Sequence, residues 1–120
     1  MKNIFWLLLG IGSTFLVSEY VFVPTNLYYE LPWLDIPMHI LGGFLIGGLS
    51  IHLLRFQNKP KLVTLTHVLA YVVFVATIWE ISEYLKGVID YDSFSDYFDT
   101  FTDMINGIIG GLLAYKLWQK

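Results

Sequence analysis

Apolar residues fill four long stretches of the chain, and polar residues gather between them. Each stretch has the length of about 20 residues with which an α-helix crosses a bilayer. The stretches are residues 4–23, 34–56, 62–85 and 98–118. Charged residues inside them lie near the ends, which leaves each centre largely uncharged. The pattern predicts an all-α integral membrane protein whose residues 1–120 form one bundle of four transmembrane helices.

The composition supports the membrane class. Of the 120 residues, 56% are hydrophobic and 14% are charged, whereas soluble domains are about 45–50% apolar. The net charge is −3, and the sequence has no extended basic stripe, which argues against a nucleic-acid partner. The chain contains no cysteine and therefore offers no thiolate ligand or nucleophile. Membrane lipids are the expected partners.

The basic residues predict the orientation of the helices. Six of the seven flank the two termini or the link between the second and third segments, and Lys86 alone lies on the other side. Because cytoplasmic loops are enriched in Lys and Arg, both termini are predicted to be cytoplasmic. The first segment is interpreted as an uncleaved helix rather than a signal peptide, since its apolar run exceeds the usual signal core.

The two halves of the chain resemble each other at an offset of 64 residues. Residues 18–20 read Ser-Glu-Tyr, as do residues 82–84, and an Asp follows each Glu at the same distance. The pairs in register include Asp35 with Asp99, Gly43 with Gly107 and Gly47 with Gly111. This favours a duplicated helical hairpin with a pseudo-two-fold axis along the membrane normal. The alternative is that apolar helices resemble one another by composition.

Acidic side chains fall at the same end of all four segments. With the termini inside, the first and third segments end at the outer face and the second and fourth begin there. Spacings of three and four residues place the polar residues of one helix on one stripe, which continues into glycines that permit close helix contact. We therefore expect them to face the bundle as candidate ligands: Glu19, Asp35, His39, Glu80, Glu83, Asp99, Asp103 and Asn106.

A confined layer of carboxylates needs compensating positive charge, because like charges in a partly dehydrated space repel. The basic residues nearby are Lys86 and His39, so bound cations or shared protons must supply the rest. A set rich in carboxylates and free of thiolates suits Mg, Mn, Ca or Fe better than a structural Zn. For Asp35 or Asp99 taken alone, the alternative is an N-terminal helix cap.

A metal ion in the headgroup layer would polarise a phosphate or ester and activate water against it. His39, Glu83 and Asp103 are the candidate general bases. The hypothesis is a divalent-metal-dependent hydrolase or transferase that acts on lipid or lipid-linked substrates. Two alternatives stay open. One is a proton- or cation-coupled transporter, although four helices leave little room for alternating access unless the protein forms a homo-oligomer. The other is a non-catalytic membrane scaffold subunit.

Three blocks of the sequence resemble the signature blocks of small VanZ-like and YjdF-like bacterial membrane proteins. They are Asp-Ile-Pro-Met-His from residue 35, Trp-Glu-Ile-Ser-Glu-Tyr from residue 79 and Asp-Thr-Phe-Thr-Asp-Met-Ile-Asn-Gly from residue 99. The resemblance implies a protein of the bacterial cytoplasmic membrane with a role in the cell envelope. VanZ-like proteins commonly have Glu and Gln with a nearby Arg where Glu80 and Glu83 stand here. The YjdF-like pattern, which implies no particular reaction, is the more similar.

Overall fold

The computed structural model describes residues 2–87 and 93–119. A π-helical turn, Ser18–Phe22, continues the first helix, and 3₁₀ turns at Pro32–Leu34 and Pro60–Leu62 precede two of the others. Within the described ranges no residue forms a strand, so the all-α prediction is confirmed. The α-helices are α1 (Lys2–Val17), α2 (Leu27–Glu30), α3 (Asp35–Phe56), α4 (Leu65–Leu85) and α5 (Phe94–Trp118).

Two helix starts differ from the sequence prediction for local reasons. α4 begins at Leu65 instead of residue 62, because Thr64 caps the helix by accepting a hydrogen bond from the His67 amide. α5 begins at Phe94 instead of residue 98. Ser93 before it has the extended backbone of an N-cap, and Asp96 places a negative charge in the first turn.

Three helical segments are long and apolar enough to cross a membrane: Ile4–Phe22, Pro32–Phe56 and Leu65–Leu85. α5 also has the length of a span, with 25 residues. It is less apolar than the others because it carries Asp96, Asp99, Asp103 and Lys116. The prediction of a helical membrane protein is thus confirmed, and the fourth crossing stays a prediction.

The centre of the fold is a pair of parallel helices, α3 and α5, whose backbones touch at glycines. A Cβ atom added to Gly43 would lie 1.9 Å from the Gly107 carbonyl oxygen, and one added to Gly110 would lie 2.0 Å from the Ile40 carbonyl oxygen. One turn further on, a Cβ at Gly47 would meet Gly111 Cα at 3.2 Å. Small residues four apart on both helices thus permit the close approach, as is common between membrane helices.

The other two long helices pack unequally on this pair. α4 packs against both α5 and α3, whereas α1 packs against α3. Among the described residues, the backbone of α1 packs much less against α4 and α5 than against α3. An exact two-fold relation would match the α3–α4 contact with a contact between α5 and α1. The duplicated hairpin therefore stays a prediction, and α1 is the peripheral helix of the bundle.

The C-terminal ends of α3 and α5 are joined by a hydrogen bond. Arg55 Nη2 donates a hydrogen bond to the Trp118 carbonyl oxygen, which satisfies a free carbonyl at a helix C-terminus. The Trp118 ring packs on Phe44 at 5.0 Å and edge-on against His52 at 5.7 Å between ring centroids. We call this the basic end of the bundle, and the end that holds Asp35 and Asp103 the acidic end.

Candidate functional site

A cavity of about 900 Å³ lies at the acidic end between α1 and α4, with α3 and α5 as its floor. Its inner part is apolar and is lined by residues such as Ile11, Leu45, Val72 and Val75. Its outer part is polar. Six of the eight predicted ligands line this one cavity: Glu19, Asp35, His39, Glu83, Asp99 and Asp103.

Three of the six meet in a cluster, which we call the Asp-His-Asp cluster. His39 Nε2 lies 3.2 Å from Asp35 Oδ1 and 3.3 Å from Asp103 Oδ2. One ligand atom from each residue lies within 4.8 Å of the others. Asp103 is buried, with 5% of its side chain exposed, whereas Asp35 and His39 are half-buried. Both carboxyl groups therefore converge on a single ring nitrogen.

The glycine crossing sets the spacing of this cluster. Asp35 and His39 are one helical turn apart on α3, so both side chains point along the same face. His39 lies one turn before Gly43, and Asp103 lies one turn before Gly107 on α5. Because Gly43 and Gly107 touch through their backbones, the residues one turn away are brought within ion-pair distance. The cluster thus depends on a contact that larger residues would prevent.

Glu83 approaches the cavity from the opposite wall, on α4. Trp79, one turn earlier, donates a hydrogen bond from Nε1 to Glu83 Oε1 at 2.9 Å. The Trp79 ring packs edge-on against Phe15 of α1 at 6.0 Å between ring centroids. Glu83 is close enough to His39 and Asp35 to interact with them electrostatically. It faces the Asp-His-Asp cluster across the cavity without belonging to it.

Glu19 is paired with a lysine at the rim of the cavity. Lys86 Nζ lies 3.3 Å from both Glu19 carboxylate oxygens and 5.4 Å from the centroid of the Trp79 ring. Lys86 is the basic residue that the sequence placed beside the acidic layer. This pair and the Phe15–Trp79 contact connect α1 to α4 at the acidic end.

The connection between α1 and α3 covers the cavity and places Tyr28, Tyr29 and Pro32 in its lining. The Tyr28 hydroxyl is hydrogen-bonded to Ser18 Oγ at 2.7 Å, and the Tyr28 ring packs edge-on against Phe22 at 5.7 Å. Burial raises the pKa of the Tyr28 phenol, the hydrogen bond with Ser18 lowers it, and nearby carboxylates raise it further. Single π-helical turns are frequent at functional sites, and here the turn Ser18–Phe22 carries the partner of Tyr28.

Two predicted ligands lie outside the cavity lining. Glu80 is buried at the contact of α4 and α5, where it accepts a hydrogen bond from Thr100 Oγ1 at 3.0 Å. Asn106 is half-buried on α5 and does not line the cavity. Asp99 does line the cavity but is exposed at its rim. Asp90 and Asp92 lie in the sequence between the third and fourth apolar stretches, outside the described residues.

Two residues of the site were not among the predicted ligands. Trp79 holds Glu83, and its position one turn before that carboxylate is a usable sequence signal. Asp96 also lines the cavity, and it lies two residues before the predicted start of the fourth stretch at residue 98. It precedes Asp99 by three residues and Asp103 by seven, so it continues the acidic stripe of α5 by one turn. An earlier helix start would have revealed it.

The electrostatics of the outer cavity are unbalanced. Six carboxylates line it together with one lysine and one histidine: Glu19, Asp35, Glu83, Asp96, Asp99, Asp103, Lys86 and His39. A low-dielectric surrounding makes such an excess of negative charge costly unless protons or cations reduce it. The arrangement can therefore hold a cation at the Asp-His-Asp cluster and presents a further carboxylate, Glu83, within the same space.

Comparison with known proteins places the chain in a family without assigning a reaction. No curated protein and no solved structure matches the chain. A family model described as "Predicted membrane protein (DUF2238)" matches residues 4–119. The match supports a small membrane protein family and leaves the VanZ-like or YjdF-like name a prediction. Since nearly the whole sequence is matched, the chain belongs to the DUF2238 family of predicted membrane proteins.

Proposed function

We propose that this protein is a divalent-metal-dependent hydrolase or transferase of the cell envelope that acts on a lipid or lipid-linked substrate. The observation that carries the proposal is the convergence of the Asp35 and Asp103 carboxylates on one nitrogen, His39 Nε2. Two carboxylate oxygens and an imidazole nitrogen that lie within 4.8 Å of one another could bind one ion together.

The two distances from His39 Nε2 to the carboxylate oxygens fit a shared metal ion. Ligand atoms about 2.1 Å from an ion and at right angles to one another are about 3 Å apart, close to the 3.2 Å and 3.3 Å observed here. Two carboxylates and one imidazole suit Mg, Mn, Ca or Fe, and three protein ligands leave coordination positions for water and substrate. These are the donor types expected of a catalytic rather than a structural metal site.

The residues around the cluster supply the remaining parts of a hydrolytic site. A bound ion would act as a Lewis acid on a phosphate or ester oxygen. Glu83, held through Oε1 by Trp79, is placed to accept a proton from a water or hydroxyl nucleophile in the cavity. The apolar inner part of the cavity offers room for the hydrocarbon of a lipid.

The charge pattern supports an orientation in which the acidic end faces outward from a bacterial cytoplasmic membrane. Arg55, Lys59, Lys61 and Lys116 belong to the basic end and its connections, which the positive-inside rule assigns to the cytoplasm. The chain has no cysteine, so Lys59→Cys and Glu30→Cys can each be labelled alone. We expect a membrane-impermeant maleimide to label position 30 and not position 59 in intact cells. The reverse would place the site in the cytoplasm.

Metal binding is tested by thermal unfolding of the purified protein in detergent, with Mg, Mn, Ca, Fe or Zn added after chelation. An ion that binds only the folded state raises its melting temperature. We expect stabilisation in the wild type and its loss in Asp35→Asn and His39→Gln. Glu30→Gln is the matched control, because Glu30 is exposed and lies outside the cavity lining. No response of the wild type to any ion would favour the shared-proton or scaffold alternatives.

Catalysis is tested separately from metal binding. The wild type and Glu83→Gln are reconstituted with a bacterial polar lipid extract, and the lipids are followed by mass spectrometry with and without the stabilising ion. We expect metal-dependent conversion of a lipid species by the wild type. Glu83→Gln should keep the thermal response to metal and lose conversion, because Glu83 lies outside the Asp-His-Asp cluster. Metal binding without conversion in the wild type would contradict the enzymatic part of the proposal.

A further inference from the structure

The cavity extends well beyond the polar cluster, along the boundary between α1 and α4. Its α1 wall includes Ile11, Gly12 and Phe15, and its α4 wall includes Val72 and Ala76. The backbones of these two helices pack little against each other in the described part of the chain. Phe15–Trp79 and Glu19–Lys86 connect them, and both contacts are at the acidic end. Away from the acidic end the cavity continues between α1 and α4.

Small residues keep the inner cavity free of side chains. For Gly42 on α3, no described atom of a neighbouring segment lies within 4 Å of where a Cβ would be, and the same holds for Gly12 on α1. Both line the cavity. They contrast with Gly43 and Gly47, which are in tight helix contact. Gly42 and Gly12 therefore leave room in the cavity and take no part in the contact between α3 and α5.

The polarity of the cavity indicates which end of a ligand lies where. The inner walls are apolar and suit a hydrocarbon chain, whereas the outer part carries carboxylates in excess over Lys86 and His39. A phosphate would be repelled from that outer part unless a divalent ion lay between it and the carboxylates. Such an ion is the one assigned to Asp35, His39 and Asp103.

We propose that the substrate is a phosphate-headed membrane lipid that enters sideways between α1 and α4. Its acyl chain lies in the inner cavity beside Gly12, Gly42 and Ala76, and its phosphate lies at the ion on the Asp-His-Asp cluster. The position of the phosphate rests on the proposed function, whereas the position of the chain rests on the shape of the cavity.

The probe is a lysophosphatidate with bromine atoms on its acyl chain, titrated into the detergent-solubilised protein with Mg²⁺ or Ca²⁺. Bromine quenches indole fluorescence at short range, and Trp79 lines the cavity. Because the chain has 4 Trp residues, the quenching of Trp79 is obtained by subtracting the fluorescence quenching of Trp79→Phe from that of the wild type. We expect saturable quenching in the wild type that is missing from Trp79→Phe.

The matched variants place a leucine inside or outside the cavity. Gly42→Leu and Ala76→Leu fill the chain site, whereas Ala70→Leu adds the same side chain at an exposed position of α4 outside the lining. Displacing about two methylenes of a buried chain should weaken lysophosphatidate binding roughly tenfold. We expect this for the first two variants and not for Ala70→Leu, with the thermal response to metal unchanged in all three.

The outcomes separate the two proposals. Equal affinity of wild type, Gly42→Leu and Ala76→Leu would overturn the chain site and leave the metal site untouched. Binding that depends on Gly42 and weakens when the ion is chelated supports the whole inference. A brominated alkyltrimethylammonium has a positively charged head, which the carboxylates attract directly. It should therefore bind without Mg²⁺. If lysophosphatidate also binds without the ion, the proposed function fails and the chain site stands.

Discussion

The two halves of the chain place equivalent residues in unequal roles. Asp35 and His39 of α3 correspond to Asp99 and Asp103 of α5 in the sequence repeat. Asp35, His39 and Asp103 meet in the cluster, whereas Asp99 is exposed at the rim. The difference follows from packing, because α4 covers both central helices and α1 covers α3. Residues that match in the predicted repeat thus differ in position, and unequal packing decides which of them meet.

The largest expected effect concerns the glycine crossing. Gly43→Ala would place a Cβ 1.9 Å from the Gly107 carbonyl oxygen and would force α3 and α5 apart. Such overpacking against backbone should cost about 3 kcal/mol of unfolding free energy or more. At Gly107 the nearest atom to an added Cβ is Val72 Cγ1 at 3.9 Å, so Gly107→Ala should be tolerated. Unfolding by SDS in mixed micelles, followed by circular dichroism, measures both.

The same variants test whether the crossing positions the site. We expect Gly43→Ala, where it still folds, to lose metal stabilisation, because Asp103 then moves away from His39. Gly107→Ala serves as the control for replacing a helical glycine, which by itself favours the helix by roughly 1 kcal/mol. Equal stability of the two variants would mean that the backbones are less closely packed than the structure indicates.

The next largest effect separates the two aspartates of α5. Asp103→Asn removes a buried member of the cluster and should weaken divalent-ion binding by more than about 100-fold, beyond the range of outer contacts. Asp99→Asn, at the exposed rim, should weaken it by about tenfold or less. Metal titration followed by thermal unfolding compares them. If Asp99→Asn were the more damaging, the ion would be bound nearer the rim.

A smaller effect is expected at the Glu19–Lys86 pair, which is partly exposed. Lys86→Gln removes a positive charge near the cavity and should strengthen divalent-ion binding, whereas Glu19→Gln should weaken it. Because water screens the pair, each change should be below about 1 kcal/mol, or about fivefold in affinity. The opposite signs are the test, measured by metal titration. Changes of the same sign would show that the pair acts through the position of α1.

The smallest effect concerns pH and the covering connection. Folding raises the pKa of the Tyr28 phenol above its usual 10.0, chiefly through burial. Above pH 10.0 the unfolded chain therefore releases the Tyr28 proton more readily than the folded protein, and stability falls as pH rises. Tyr28→Phe should remove part of that alkaline loss, whereas Tyr29→Phe, an exposed neighbour, should not. Melting temperatures measured across pH 9 to 11 would contradict this if the two variants behaved alike.

The sequence was sufficient for the class of fold and for the acidic end, because apolar length and the alternation of helix direction fix both. It placed Glu80 and Glu83 together, since they are three positions apart on one helix. In the structure Glu80 lies at the contact of α4 with α5, whereas Glu83 lines the cavity. The packing of α5 against α4 causes this difference. The π-helical turn at Ser18–Phe22 has no sequence signature and was missed. The convergence on His39 Nε2 depends on the distance between α3 and α5. The glycines in the sequence indicate that the two helices pack closely, but they do not give that distance.

The division of the cluster between α3 and α5 has a consequence for biogenesis. The first three long helices are long and apolar enough to cross a membrane, whereas α5, which is synthesised after them, carries Asp96, Asp99 and Asp103. Its aspartates make independent insertion costly, and the glycine face of α3 and the flank of α4 are the surfaces that receive it. If α5 crosses the membrane, its insertion and the assembly of the Asp-His-Asp cluster are one event. A chain that stops after α4 would then lack Asp103, and its cluster would be incomplete.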